Sequence, residues 1–246
     1  MTTSASAAAA AAPGLIPDNP TAIQRMAGVV LRPGRTFRRV VDDPQWRTVL
    51  VVSTVIAVVA AVAVLNTAIG RQALVDQWER TSAALGHEVD DAGYRQLEAW
   101  GRYAAVYGAA GALVGGPVLA FGVAALIYAL SRRARPFMTV FAVAVHAGVI
   151  LTLRQVVTAV SIYVGETTAP HLTLGAAFPG LDAASPAARA LGFVDLFVVW
   201  WLVVLGIGVA RLYERRVRST ALAFLGAYAV LAVLTAIVFS VAGGNA

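Results

Sequence analysis

The chain has 246 residues, of which 59% are hydrophobic and only 13% charged, with a mean hydropathy of +0.74 and a formal net charge of +6. That balance excludes an ordinary soluble globular domain. The absence of cysteine and lysine excludes disulfides, thiolate metal sites and cysteine nucleophiles, and leaves all the positive charge to arginine.

The first 20 residues, MTTSASAAAAAAPGLIPDNP, lack the basic n-region of a secretory signal, and Pro13, Gly14 and Pro17 follow their alanine run. They read as a disordered low-complexity tail. Residues 21–47 differ: Ile23, Met26, Ala27 and Val30 recur at helical spacing, and Phe37, Val40 and Val41 lie among Arg35, Arg38 and Arg39. This pattern predicts a cytosolic interfacial segment with apolar side chains at the acyl boundary and guanidinium groups at lipid phosphates. Arginines that only enforce topology give the same pattern. So short a basic stretch beside a membrane span is not expected to bind nucleic acid.

Five long apolar runs occupy 48–242. A hydrocarbon core of ~30 Å takes ~20 helical residues to cross, and the runs predict spans at about 48–69, 103–130, 138–163, 193–213 and 219–241. The expected fold is all-α, a polytopic bundle of five transmembrane helices with short interfacial amphipathic helices. Connections of about 30 residues at most leave no room for a folded catalytic module.

In the first external connection, Leu74, Trp78, Leu85 and Val89 form one helical stripe broken at Gly86, and Asp90 and Asp91 precede Tyr94, Leu97 and Trp100. Two amphipathic pieces follow from that. Trp78, Trp100 and Tyr103 suit either the headgroup region or packing against neighbouring helix ends. The second span places Gly108, Gly111, Gly115 and Gly122 on nearly one face, which favours close approach by another helix. The Gly-Gly-Pro at 115–117 is expected to kink the helix, a signature shared with discontinuous transporter helices.

Ionisable groups inside spans are the default place to look for function, and here they are His146 and Arg154 on the third span and Asp195 at the start of the fourth. Arg154 follows Met138 by 16 residues, or ~24 Å of helix, so it lies near the outer end where Asp195 enters. An ion pair between them is expected. His146 is rotated about 80° from Arg154, which disfavours a single polar wire through both. The connection at 165–190 is either irregular or membrane-dipping.

Thirteen arginines fall on one side of these spans: six precede the first, Arg132, Arg133 and Arg135 lie in the second turn, and Arg211, Arg215, Arg216 and Arg218 in the last. The other side carries five, accompanied by six acids within 71–102. The positive-inside rule then puts the N-terminus in the cytoplasm and the C-terminus outside. Arg32, Arg35, Arg38, Arg39, Arg132, Arg133, Arg135, Arg215, Arg216 and Arg218 are expected to form one basic face toward anionic lipid or a protein partner, which is a membrane protein, a cytosolic protein or a second copy of the chain.

No catalytic motif is present: G-x-x-x-x-G-K-[ST], H-E-x-x-H and G-x-S-x-G are all missing, and no carboxylate pair lies inside the spans. His87, His146 and His171 make no metal-ligand spacing. Neither enzyme activity nor a cofactor or metal is expected.

The entry segment LRPGRTFRRVVDDPQWRTVLVV, with Pro33, Phe37, Pro44 and Trp46, resembles the opening of the Yip (Ypt-interacting protein) domain family. The turn and third span SRRARPFMTVFAVAVHAGVI are similar to the family's middle. FVDLFVVWWLVVLGIGVARL, followed by Ser219, Ala221 and Leu222, is similar to its end, so the resemblance covers about residues 25–242. It implies a five-span bundle with a cytosolic N-terminus. Eukaryotic members bind Rab-type GTPases and one another in Golgi and ER traffic; this chain lacks their D-L-Y-G-P motif, which puts GTPase binding in doubt. Lysine-free, Arg/Ala/Val-rich usage points to a prokaryotic member, and so to the cell membrane. Two functions are compatible with these features: a non-enzymatic scaffold that organises partners or lipids through its basic face, and a small solute or proton transporter or channel subunit. The scarcity of buried polar groups favours the first.

Overall fold

The computed structural model describes residues 20–84, 87, 89–131, 135–165 and 194–243. They form helices α1 (Ala22–Leu31), α2 (Pro33–Asp42), α3 (Trp46–Leu65), α4 (Ala68–Ala84), α5 (Asp91–Gly101), α6 (Ala104–Leu130), α7 (Phe137–Ala147), α8 (Val149–Gly165), α9 (Leu196–Leu212) and α10 (Val217–Gly243). There is no strand among the described residues, so the fold is all-α. The expected N-terminal tail lies almost wholly outside the described residues. So do the 165–190 connection, Leu85, Gly86, Arg132, Arg133 and Arg189.

Four stretches are long and apolar enough to cross a membrane: α3, α6, Phe137–Val164 (which joins α7 and α8) and Val217–Leu234 of α10. Their outward faces are correspondingly apolar. Val51, Val55 and Val59 recur every fourth residue along α3 and are more than half exposed, as are Leu113, Val118 and Phe121 on α6 and Val230 and Leu231 on α10. Contiguous exposed apolar surface of this extent belongs against acyl chains. α9 has 17 residues, or ~25 Å of helix, the short end of the membrane-spanning range.

The bundle is organised around α7. Every residue from Val140 to Ala147 is buried, as expected of a helix that is apolar on all sides, and α2, α3, α6 and α9 surround it. Trp46, at the start of α3, meets Phe141 edge-on at 5.0 Å, and Phe137 and Phe141 stack with Phe121 against them.

Three local features add detail to the sequence expectation. The third span changes helical register at Gly148 without interruption: Phe137–Val164 remains one apolar stretch, the Gly148 N–H reaches Ala144 O, and Leu151 and Thr152 N–H share Gly148 O. The second span keeps Pro117 inside one helix, α6, so the proline removes a hydrogen bond without ending it. The glycine face also divides. A side chain at Gly108 would meet Leu65 and Ala61 of α3, so close approach occurs there, but Gly111, Gly115 and Gly122 have nothing within 4 Å of an added Cβ. Small residues permit an approach without compelling it, and only one of the four glycines is used that way.

The N-terminal segment also departs from expectation. α1 and α2 are amphipathic as predicted, yet Phe37 and Val40 are fully buried in the bundle core instead of resting at the acyl boundary, and Val29 of α1 is buried beside them. The Phe37 ring lies over Gly208 of α9 beside Val143 of α7, close enough that a Cβ on Gly208 would sit 2.9 Å from Phe37 Cε1 and 2.6 Å from Val143 Cγ1. Periodicity specifies an apolar face, and protein and acyl chains satisfy it equally. Here the hairpin covers one end of the bundle. Ile23, Ala27 and Leu31 remain exposed on the far side of α1.

Candidate functional site

The arginine-rich segments converge on one end of the molecule. α2 packs against α9 and α7, a Cβ added at Gly34 would stand 3.7 Å from an Arg211 terminal nitrogen, and Arg135 donates to Glu214 at 3.0 Å across two turns far apart in sequence. Residues 32–39, 135 and 211–218 therefore share one surface. The turn after α9 is tightened by Glu214, whose φ of 53° is the described positive-φ residue other than glycine. The Arg215 N–H bonds back to Ala210 O at 2.9 Å, as in a Schellman close, where glycine usually takes the left-handed position. A glutamate there accepts local strain, and its carboxylate is thereby positioned for Arg135.

Cations at this end exceed acids. Among the described residues, ion pairs neutralise Arg25 (with Asp43) and Arg135 (with Glu214), while Arg32, Arg35, Arg38, Arg39, Arg215, Arg216 and Arg218 are exposed and have none. Arg25 has a separate role that its place in the sequence does not reveal. It is 7% exposed, and its guanidinium donates to Asp43 Oδ2, Asp43 O and Pro20 O, tying the start of α1 to the end of α2. Thr21 and Gln24 close a reciprocal capping box at the α1 N-terminus, which satisfies two otherwise orphaned donors. The S/T-x-x-E/Q spacing was readable in the sequence, whereas the 18-residue pairing of Arg25 with Asp43 was not.

At the opposite end, Arg154 Nε donates to Asp195 Oδ2 at 2.6 Å. Asp195 also caps α9, its Oδ1 accepting from Phe197 N–H at 2.8 Å and Val198 N–H at 3.2 Å. The carboxylate thus serves both an ion pair and a helix N-terminus, where negative charge is favoured. His146 lies apart from this pair. It is fully buried on α7, and Nδ1 stands 2.7 Å from Ala142 O, which as an acceptor requires the proton on Nδ1. Its Nε2 has no hydrogen-bond partner among the described residues.

Between the two ends, α3, α6, α7, α8 and α9 line a cleft of about 350 Å³ whose walls include Ser53, Gly111, Gly115, Thr152, Arg154 and Gln155. This is where the glycine face opens. His146 does not line it, so His146 and Arg154 do not share a path through this cleft. Trp78 packs edge-on against Tyr107 at 6.0 Å, in line with helix-end packing, while Trp100 and Tyr103 stay about half exposed. No group of three or more metal-ligating side chains occurs among the described residues.

No curated protein and no solved structure matched this chain. A family model described as the Yip1 domain matches residues 27–241. The match carries no support for the prokaryotic origin suggested by residue usage. It takes in α2 to α9 with the surface they build, leaving out at its start only the 1–26 stretch that includes Arg25, and a match over most of the chain places this helical membrane protein in the Yip1 domain family.

Proposed function

We propose that the protein is a non-enzymatic membrane scaffold whose arginine-rich end faces the cytoplasm and engages anionic lipid headgroups. The observation carrying this reading is the convergence on one end of the bundle of seven exposed arginines without an ion pair, from the α1–α2 junction, α2, the turn after α9 and the start of α10. Surface cations in excess of acids cost folding stability through mutual repulsion, and an anionic leaflet supplies the missing countercharge. In this reading α9 makes a fifth crossing. It starts beside Arg154 at one end and finishes beneath α2 at the other, and the N-terminus is cytoplasmic and the C-terminus extracytoplasmic.

The test is capture of nanodiscs containing an anionic phospholipid by detergent-purified, immobilised protein. Capture should fall as salt rises, because exposed charges are screened over ~8 Å at physiological ionic strength. The triple variant Arg35→Gln/Arg38→Gln/Arg39→Gln should weaken it by about tenfold or more, since each cation near an anionic surface adds about 1 kcal/mol, with the melting temperature unchanged. Salt-independent capture, or a triple variant equal to wild type, would refute the reading. A solute or proton path is the second reading, favoured by the polar side chains lining the 350 Å³ cleft. Solute or proton flux in reconstituted vesicles that is abolished by Arg154→Gln would replace the scaffold with a transporter.

A further inference from the structure

We propose that the cleft between α1 and α2 is a specific site for a phosphate monoester carried by a membrane lipid. The proposal rests on the anionic-lipid reading and adds to it a defined pocket and headgroup. The cleft has a volume of about 200 Å³, and its walls include Gln24, Arg25, Arg32, Arg35, Thr36 and Arg39. Gly28 also lines it, and a Cβ added there would stand 2.6 Å from Thr36 Oγ1, so α1 and α2 meet there as closely as side chains permit.

The charge in this cleft is uncompensated. Arg25, a buried wall residue, is neutralised by Asp43, but Arg32, Arg35 and Arg39 are exposed and make no ion pair among the described residues. Arg35 and Arg39 are four residues apart on α2, a spacing at which like charges destabilise a helix. Arg32 adds a third cation at the corner between the helices. The first turn of α2 faces the same corner with its positive dipole end. These features together cost the free protein stability and are relieved by one bound anion.

The arrangement selects among anions. A phosphate monoester carries close to two negative charges near neutral pH and has three terminal oxygens, one for each unpaired guanidinium fork. A phosphodiester offers one charge and two free oxygens, so it leaves one arginine unmatched. The source is a membrane lipid and not free phosphate, because α1 exposes an apolar stripe of Ile23, Ala27 and Leu31 beside the cleft, with Ile23 71% and Leu31 75% exposed. Such a stripe anchors in acyl chains.

The test uses the full chain in detergent at physiological ionic strength, titrated with short-chain phosphatidic acid, short-chain phosphatidylglycerol and inorganic phosphate. Phosphatidic acid is expected to bind about tenfold or more tightly than phosphatidylglycerol, and inorganic phosphate more weakly than phosphatidic acid. Arg35→Lys/Arg39→Lys keeps the charge but loses the planar fork, and should abolish the preference while leaving phosphatidylglycerol binding in place. Arg38→Gln, which does not line the cleft, should weaken both lipids alike and keep the preference. Equal affinity for the two lipids would overturn the pocket and leave the diffuse electrostatic reading standing. Loss of binding to both would overturn the two readings together, and inorganic phosphate binding as tightly as phosphatidic acid would overturn the lipid source.

Discussion

Phe37→Ala is expected to lower the stability of the detergent-solubilised protein by about 3–5 kcal/mol, the cost of deleting a fully buried phenylalanine. Phe37 is the largest apolar side chain by which the N-terminal hairpin enters the bundle, lying over Gly208 beside Val143. Gly208→Val should be of similar severity for the opposite reason, since the new side chain must displace Phe37 and Val143. The two substitutions act on one contact, so the double variant should lose less than their sum, the signature of coupled sites. The measurement is thermal or denaturant unfolding of all three variants. Unfolding of Phe37→Ala at the wild-type temperature would show that α2 is not docked as described.

Arg154→Ala and Asp195→Ala should each destabilise by about 3–5 kcal/mol, because removing one member of a partly buried pair leaves the other charge uncompensated. Asp195 is 13% exposed against 38% for Arg154, and it alone caps α9, so its loss should cost more. The double variant should recover part of the combined loss. Asp195→Asn separates the two roles: the amide oxygen can still accept from Phe197 and Val198 N–H, while the ion pair is gone. Strict additivity in unfolding experiments would mean that the pair contributes no coupling.

Much of this architecture was legible in the sequence because it depends on hydropathy and charge alone. Apolar runs of membrane-crossing length located α3, α6 and α10 to within a few residues, and the shared depth of Arg154 and Asp195 anticipated their contact. The remainder depended on which partner fills a given face. An amphipathic α2 has the same periodicity whether Phe37 meets lipid or Gly208, since acyl chains are as apolar as leucine. Gly111, Gly115 and Gly122 resemble Gly108 in sequence and differ only in whether a neighbour comes near. The helix boundary at Gly148 left no local mark beyond a single glycine. The basic end was countable as charge, but its cleft depends on the contacts that hold α1 against α2, among them the Arg25–Asp43 pair and the Gly28–Thr36 approach.

The relation of the arginine-rich end to the membrane underlies both functional readings, and the cysteine-free chain permits a direct measurement of it. Single cysteines replacing Ser4 or Asn245 are treated with a membrane-impermeant maleimide on intact cells and again after permeabilisation. Five crossings with a cytoplasmic arginine-rich end predict labelling of the Asn245→Cys protein on intact cells and of the Ser4→Cys protein only after permeabilisation. Labelling of both on intact cells, or of neither, would put the two termini on the same side of the membrane and contradict the account.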